Sequence, residues 1–179
     1  MLRRLPFLTF LYFIAAYSAS ADDVLTKKNW VNHPAITEIR SLYQLTKALK
    51  AHGELVEKKR EFGYCIPYAD TDRILYTDKS GKPRIYYFSG GSDDSTVSTE
   101  LYYDDAGTRR FAFIIARAIN DTHLEHRVYF SKEGIKIWEA QKLLGGPGYT
   151  FPTEWPDEAL PRDPMQAFSA KHTCDETEQ

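Results

Sequence analysis

Two histidines and a glutamate stand close together in one short segment, as His123, Glu125 and His126. Imidazole and carboxylate groups are common general acids and bases, so this segment is a candidate for hydrolase-like chemistry. In a strand, however, residues three apart point to opposite faces, and His123 and His126 then do not bind one metal ion together. The segment therefore predicts no metal centre. A hydrolase-like site near His123 and His126 remains the alternative function.

A second polar segment, residues 89–96, combines two glycines with Asp93 and Asp94. Its glycines would expose backbone amides to an anion, but the two aspartates would repel one. The adjacent acids also lack the alternating spacing of a calcium loop. We interpret the segment as a mobile connector loop. No nucleophile elbow, phosphate loop or zinc signature occurs elsewhere, and we expect no cofactor.

Two cysteines, Cys65 and Cys174, are the only ones in the chain. In an oxidising compartment an even number of cysteines favours a disulfide. Two buried or free thiols are the alternative. A bridge would close a loop of about 110 residues and stabilise the fold by about 4 to 5 kcal/mol in the chain-entropy model. We expect it to tie the C-terminal tail back to the start of a sheet.

The N-terminus has the layout of a secretory signal. Two arginines precede an apolar run over residues 5–16, and small residues stand at the two positions a signal peptidase reads, Ala19 and Ala21. The alternative, a membrane anchor, needs about 20 predominantly apolar residues, and this run is shorter. We predict a signal peptide at residues 1–21, a single domain at residues 22–179, and a periplasmic or extracellular location.

The charge balance excludes some classes of partner. Residues 22–179 hold 21 lysines and arginines against 25 aspartates and glutamates. This mildly acidic balance argues against nucleic-acid binding, which needs a basic stripe, and against a polybasic membrane-surface patch. The chain after cleavage has no second apolar run of spanning length. The partners that remain are an envelope or extracellular protein, a peptide or a glycan.

A helix is predicted over residues 34–51. Apolar residues recur there in steps of three and four, as on one face of an amphipathic helix. Asn32 is placed to cap the helix, Pro34 suits its first turn, and Gly53 suits its end. The charged residues 54–61 either continue the helix or fray.

Three later segments share one layout, with a tyrosine five residues before a glycine and Asp or Ser opening the turn between them. These segments are residues 76–81, 102–107 and 129–134. The layout is typical of a type I turn followed by a left-handed glycine bulge. It predicts three β-hairpins, which form a six-stranded antiparallel meander over residues 72–142 and give an α+β fold. The hairpins resemble those of MORN-type repeats, a likeness that covers only the three turns and implies no function.

The meander has two faces of different character. Pairing Leu101 with Phe111 across the second turn places Phe113 and Val128 on a core face, against which the helix is expected to pack. The opposite face is half aromatic and holds one tyrosine from each hairpin. These tyrosines, at Tyr76, Tyr102 and Tyr129, are the predicted binding residues, since an aromatic row suits a sugar or a peptide.

The tail over residues 145–179 is rich in proline and in scattered aromatic residues. Proline excludes it from a central strand, and its aromatic content is too high for a free disordered tail. We predict an extended arm that packs on the sheet, on the tyrosine face. The sequence thus predicts a small exported binding, inhibitory or envelope-maintenance module rather than an enzyme, with the tyrosine face either open to a partner or covered by the arm.

Overall fold

The computed structural model describes residues 24–65, 71–147, 151–172 and 174. It shows an α+β fold in which one long helix precedes seven antiparallel strands in sequential order. The elements are α1 (Pro34–Ala51), β1 (Val56–Phe62), β2 (Thr71–Thr77), β3 (Pro83–Ser92), β4 (Ser95–Tyr103), β5 (Arg109–Ala118), β6 (His123–Phe130), β7 (Lys136–Gly145), a short 3-10 turn (Asp157–Ala159) and α2 (Pro164–Ser169).

The first helix has the predicted bounds, but a different cap. Nδ1 of His33, not the side chain of Asn32, accepts the N–H of Ala35 at 3.3 Å. The helix ends as predicted, because Gly53 adopts a φ of +70° and donates its N–H to the carbonyl of Lys50 at 3.1 Å. The left-handed conformation suits glycine, which has no Cβ to clash.

The sheet has seven strands rather than the predicted six. The additional strand is β1, which pairs antiparallel with β2 and lies at one edge of the sheet. Its side chains are mostly exposed and charged, so its sequence lacks the alternation of a half-buried strand. Charged residues are typical of an edge strand, because they oppose pairing with another chain. Residues 54–61 were expected either to continue the helix or to fray, and both alternatives are wrong, because most of them form β1.

The three predicted glycine turns are confirmed. Gly81, Gly107 and Gly134 have φ values of +87°, +80° and +75°. The opening side chains also hold the turns in the expected way. Oδ1 of Asp104, for example, accepts the N–H groups of Ala106 and Thr108 at 3.0 and 2.9 Å. Each turn is thus specified by local chemistry alone.

The predicted pairing register is wrong by one residue within the hairpins. Regular pairing breaks directly after Tyr76, Tyr102 and Tyr129. Each returning strand therefore contains one extra residue, and a shift of one residue moves every later side chain to the other face. Leu101 pairs with Ala112 and not with Phe111, so Phe111 and Phe113 lie on the same face as the tyrosines.

The two layers that cover the sheet are exchanged relative to the prediction. On one face, here the helix side, Ile36 and Ile39 of α1 pack over the tyrosine row. On the other, here the arm side, Trp155 and Leu160 pack on Leu101 and its neighbours. A layer packs on each face because the meander is apolar on both sides, although α1 covers only part of the helix side.

The C-terminal segment is an arm packed on the sheet, as predicted, and polar side chains of the sheet hold it. The guanidinium of Arg109, only 2% exposed, stacks over the ring of Phe130 at 3.8 Å and donates to Asp157 and to the carbonyl of Leu160. The hydroxyl of Tyr103 donates to the carbonyl of Pro161 at 2.9 Å. These bonds satisfy arm carbonyls that have no partner in regular structure.

The Cys65–Cys174 disulfide is present, and its two Cα atoms lie 5.7 Å apart. It joins the end of the arm to the chain just after β1, across 109 residues of sequence. Beside it, the imidazole of His172 stacks on the ring of Phe62, with ring centroids 4.3 Å apart. Across the described residues, the helices are too short or too polar to cross a membrane.

Candidate functional site

The three tyrosines of the predicted binding row do share one face of the sheet, but α1 covers them. Tyr76, Tyr102 and Tyr129 are 7%, 0% and 2% exposed. The ring of Tyr43 in α1 packs edge-on against that of Tyr102, with centroids 4.9 Å apart. The expectation that the row is exposed, or else covered by the arm, is therefore wrong. A part in binding stays a prediction for these residues, and Tyr129 borders the cleft described below.

The hydroxyl group of Tyr102 is held inside the protein. Burial raises the pKa of Tyr102, and the nearby carboxylate of Glu100 raises it further. The hydroxyl donates to Oε2 of Glu100 at 2.6 Å, while Oε1 of the same carboxylate lies 3.5 Å from Nζ of Lys50. Tyr102 is therefore neutral at physiological pH, and the carboxylate of Glu100 is already engaged.

An open cavity of about 370 Å³ lies beside this covered row, between α1 and the sheet. We call it the helix cleft. Its lining comes from the segment before α1, from α1 itself and from strands β5 and β6, namely Trp30, Arg40, Tyr43, Gln44, Phe111, Phe113, Arg127 and Tyr129. The cleft exists because α1 crosses only part of the helix side and leaves the half-buried Phe113 at its margin.

Trp30 is one of the aromatic residues that line the helix cleft. Its ring stacks on that of Trp138 in β7, with centroids 5.5 Å apart and an interplanar angle of 20°. The guanidinium carbon of Arg40 stands 5.3 Å from the centroid of the Trp30 ring, and Nη1 of Arg40 donates to the carbonyl of Val31 at 2.5 Å. Stacking and the cation–π contact hold the indole in one orientation.

A second guanidinium, that of Arg127, also lines the helix cleft. The guanidinium carbon of Arg127 lies 5.5 Å from the centroid of the Phe113 ring, and its Nη2 donates to Glu125. Arg40, by contrast, forms no ion pair with any carboxylate of the described residues. The cleft thus combines aromatic walls with a net positive charge.

Beyond α1, the helix side continues as a surface that we call the open half. The strand register places its side chains in cross-strand rows over β3 to β6. The first row is Tyr87, Glu100, Phe113 and Arg127; the second is Ser89, Ser98, Ile115 and Glu125; the third includes Thr96, Arg117 and His123. Every one of these residues is half-buried or exposed. A shallow cavity of about 470 Å³, here the strand cleft, lies over part of the second and third rows.

Residues 89–96, which include part of the lining of the strand cleft, are not the connector loop that the sequence predicted. Strand β3 extends to Ser92 and β4 begins at Ser95, so only Asp93 and Asp94 connect them. Ser89 pairs directly with Ser98. All but two residues of this segment therefore belong to paired strands, and Asp93 and Asp94 form the turn between them.

The two histidines of the alternative hydrolase-like site are not brought together. His123 lies on the helix side next to Arg117, whereas His126 is fully buried on the arm side. Neither histidine lines the helix cleft or the strand cleft. His123 and His126 thus face opposite ways, as predicted for residues three apart in a strand.

His126 belongs to a buried polar network rather than to an open site. Its Nδ1 lies 3.0 Å from Oε1 of Glu139, and its Nε2 lies 2.9 Å from Nε2 of Gln141. Oε1 of Glu139 also accepts the backbone N–H of Trp155 at 2.7 Å, and the edge of the Trp155 ring faces the imidazole. Both ring nitrogens are thus engaged, and the network attaches the arm to β6 and β7.

Among the described residues, one trio of metal-ligand types meets: Cys65, His172 and Cys174, with ligand atoms within 4.8 Å of one another. The two sulfurs are joined in the disulfide. Since it is the thiolate that binds metal, this oxidised trio offers only an imidazole.

Sequence reasoning missed the residues that build the two clefts, chiefly Trp30, Arg40, Tyr87 and Arg117. One available signal lay in α1, where Arg40, Tyr43 and Gln44 are spaced i, i+3 and i+4 and therefore share a face. For the strand residues, the faces follow only once the extra residue in each returning strand, opposite the tyrosine, is counted. No family description, no curated protein and no solved structure matches the chain in sequence or fold.

Proposed function

We propose that this chain is an exported, non-enzymatic binding module and that the helix cleft is its binding site. The observation that carries the proposal is the open cavity of about 370 Å³ in which aromatic rings and two guanidinium groups converge. Ligand sites typically combine apolar and aromatic walls with a few polar groups that fix orientation. Phe113 and Trp30 supply the first feature, and Arg40 and Arg127 the second.

The cleft is built on rigid elements, which supports a binding role. Phe113 and Arg127 are direct cross-strand partners on two interior strands. Trp30 is held between the ring of Trp138 and the guanidinium of Arg40. A pre-formed site loses little conformational freedom when a ligand enters, and so more of the contact energy appears as affinity.

Export is part of the proposal. The signal predicted at residues 1–21 lies outside the described residues. The Cys65–Cys174 disulfide is compatible with an oxidising compartment such as the periplasm or the extracellular medium.

The contacts of His126 and Glu139 count against the alternative hydrolase-like site. The two side chains bind each other, His126 also contacts Gln141, and Glu139 also binds the arm at Trp155. The imidazole of His126 is fully buried. A general base must reach the proton that it removes from a substrate. In the described part of the chain, His126 has no such access.

Amide NMR spectra of the mature protein, titrated with phenylacetate, test the binding site. Phenylacetate offers a ring to Trp30 and Phe113 and a carboxylate to Arg40 or Arg127. We expect the shifted amides to cluster in β5, β6 and the first half of α1. The substitution Arg127→Gln should weaken the binding, because it removes the charge but keeps a polar side chain of similar length.

The matched control is Arg162→Gln, since Arg162 also pairs with one carboxylate, that of Asp157, but belongs to the arm. It should leave the phenylacetate titration unchanged. Shifts centred on the arm side would contradict the proposal. So would the absence of any shift around Phe113 with both phenylacetate and its neutral analogue phenylacetamide.

A further inference from the structure

The helix cleft and the strand cleft adjoin on one sheet face. Phe113 lines the first and Ile115 lines the second, and these residues, two apart on β5, point to the same side. Ser98, which also lines the strand cleft, is the direct cross-strand partner of Ile115. The two clefts are therefore neighbours on one face, and we call the two together the trough.

The floor of the trough offers mainly side chains. It is made by β3 to β6, which are interior strands of the sheet, although residues 89–92 of β3 extend beyond the residues that pair with β2. Over the paired part of the floor the N–H and C=O groups are used in the sheet ladders, so an extended peptide finds no strand edge there, and such pairing supplies much of the affinity in peptide recognition by sheets. A ligand in the trough is recognised through rings, hydroxyl groups and guanidinium groups.

These side chains suit linked sugar rings. Tyr87 and Phe113 are half-buried and stand on one cross-strand row, so they provide rigid aromatic contact area for the C–H faces of pyranose rings. Ser89 and Ser98 stand in the next row and provide hydroxyl groups that donate or accept hydrogen bonds to sugar hydroxyls.

The charges of the trough select an acidic ligand. Its two carboxylates are already engaged, Glu100 by Tyr102 and Lys50, and Glu125 by Arg127. Arg40 and the exposed Arg117 form no ion pair within the described residues. The side chains that line the trough therefore carry a net positive charge; Arg117 also lines a neighbouring cavity with Asp93 and Asp94 but forms no ion pair with them. Guanidinium groups bind carboxylates with charge-assisted, often bidentate hydrogen bonds.

The two arginines come from well-separated positions on the trough. Arg127 stands opposite Phe113, and Arg117 lies four residues further along β5, so their backbone positions are about 13 Å apart along the strand direction. A ligand whose carboxylates repeat along its length can engage both without drawing the two side chains together. A trimer of linked pyranose rings spans this separation.

Resting on the proposed function, we infer that the trough binds an acidic oligosaccharide with carboxylate-bearing sugar units. Its rings lie on Phe113 and Tyr87, and its carboxylates bind Arg117 at one end and Arg127 or Arg40 at the other. This inference extends the binding surface from the helix cleft to the strand cleft and assigns the chemical class of the ligand.

Isothermal titration of the oxidised mature protein with trigalacturonate tests the inference. We expect binding that weakens at least about tenfold when the carboxylates are methyl-esterified, because the sugar rings remain but the charge-assisted bonds are lost. Binding should also weaken as ionic strength rises, since exposed charges are screened. Arg117→Gln should weaken it about tenfold, while Arg162→Gln on the arm, with the same loss of charge, should have no effect.

The outcomes separate this inference from the proposed function. Failure of trigalacturonate to bind, with phenylacetate still shifting the amides around Phe113, overturns the inference and leaves the binding site in place. Tighter binding of hexaglutamate than of trigalacturonate identifies an acidic peptide and overturns it as well. Equal effects of Arg117→Gln and Arg162→Gln would show that the strand cleft does not bind the ligand, and they overturn the inference. Failure of both phenylacetate and trigalacturonate counts against both proposals.

Discussion

Nδ1 of His126 lies 3.0 Å from Oε1 of Glu139, with the imidazole fully buried and the carboxylate nearly so. The carboxylate also accepts the backbone N–H of Trp155, and its Oε2 lies 2.9 Å from Nζ of Lys136. Burial raises the pKa of Glu139, but the hydrogen bonds from His126, Lys136 and Trp155 outweigh burial and hold the pKa below its ordinary value of 4.5. One carboxylate thus joins two strands to the arm in its ionised form.

Acid should weaken this attachment. Because the pKa of Glu139 is lower in the folded than in the unfolded chain, its contribution to stability is present at neutral pH and is lost as pH falls below 4.5 and through the folded-state value. Urea unfolding at pH values from roughly 7 to 3 measures the effect. The free energy of unfolding should fall more steeply with acid in the natural protein than in Glu139→Gln, which keeps an acceptor for Trp155. An equally steep fall in both proteins would rule this out.

Arg109 should be the strongest single polar anchor of the arm. Its removal in Arg109→Ala leaves the carbonyl of Leu160 without a donor and removes the stacking on Phe130, and we expect a loss of about 2 to 4 kcal/mol in urea unfolding. The control is Arg162→Ala, which removes the other partner of Asp157. The side chain of Arg162 is 70% exposed, so its loss should cost within about 0.5 kcal/mol. Equal losses would show that Arg109 holds the arm no better than a surface residue.

The disulfide should stabilise the fold and retain the end of the arm. The double variant Cys65→Ser, Cys174→Ser should lose about 4 to 5 kcal/mol, as the chain-entropy model gives for a loop of this length. Limited proteolysis of this variant should cut first after α2, where the arm loses its covalent tie. Mass spectrometry after alkylation without reductant checks the bridge itself. Two alkylated thiols in the native, unreduced protein would show that it does not form.

Tyr102 should behave as a core residue. Tyr102→Ala removes a fully buried ring packed against Tyr43 and Phe111, and we expect a loss of about 3 to 5 kcal/mol. Lys79→Ala, at the tip of the first hairpin turn, should change stability by less than about 0.5 kcal/mol. Thermal unfolding followed by circular dichroism compares the two. A small effect of Tyr102→Ala would mean that α1 does not cover this row.

The mature protein should begin at Asp22. A signal peptidase reads Ala19 and Ala21, so cleavage after Ala21 is expected. The intact mass of the protein recovered from the periplasm or culture medium checks this directly. Recovery of the uncleaved chain in the membrane fraction would instead indicate an anchor.

The turns and the first helix could be predicted because their signals are local. The positive φ of Gly81, Gly107 and Gly134 follows from the residues that surround each glycine in the chain. The helix follows from apolar spacing, Pro34 and Gly53, although His33 caps it and not Asn32 as predicted. Strand β1 was missed because an edge strand needs no apolar alternation, and its charges look like those of a fraying helix.

What the sequence alone determined is the set of hairpins, the helix, the disulfide pair and the presence of a packed arm, since each depends on neighbouring residues or on composition. Only the tertiary structure decided which layer covers which face. One extra residue in the returning strand, opposite the break after Tyr102, reverses the side on which Phe111 and Phe113 stand, and local propensity hardly distinguishes the two registers. The clefts likewise depend on where α1 crosses the sheet, because Trp30, Arg40 and Phe113 meet only through that crossing.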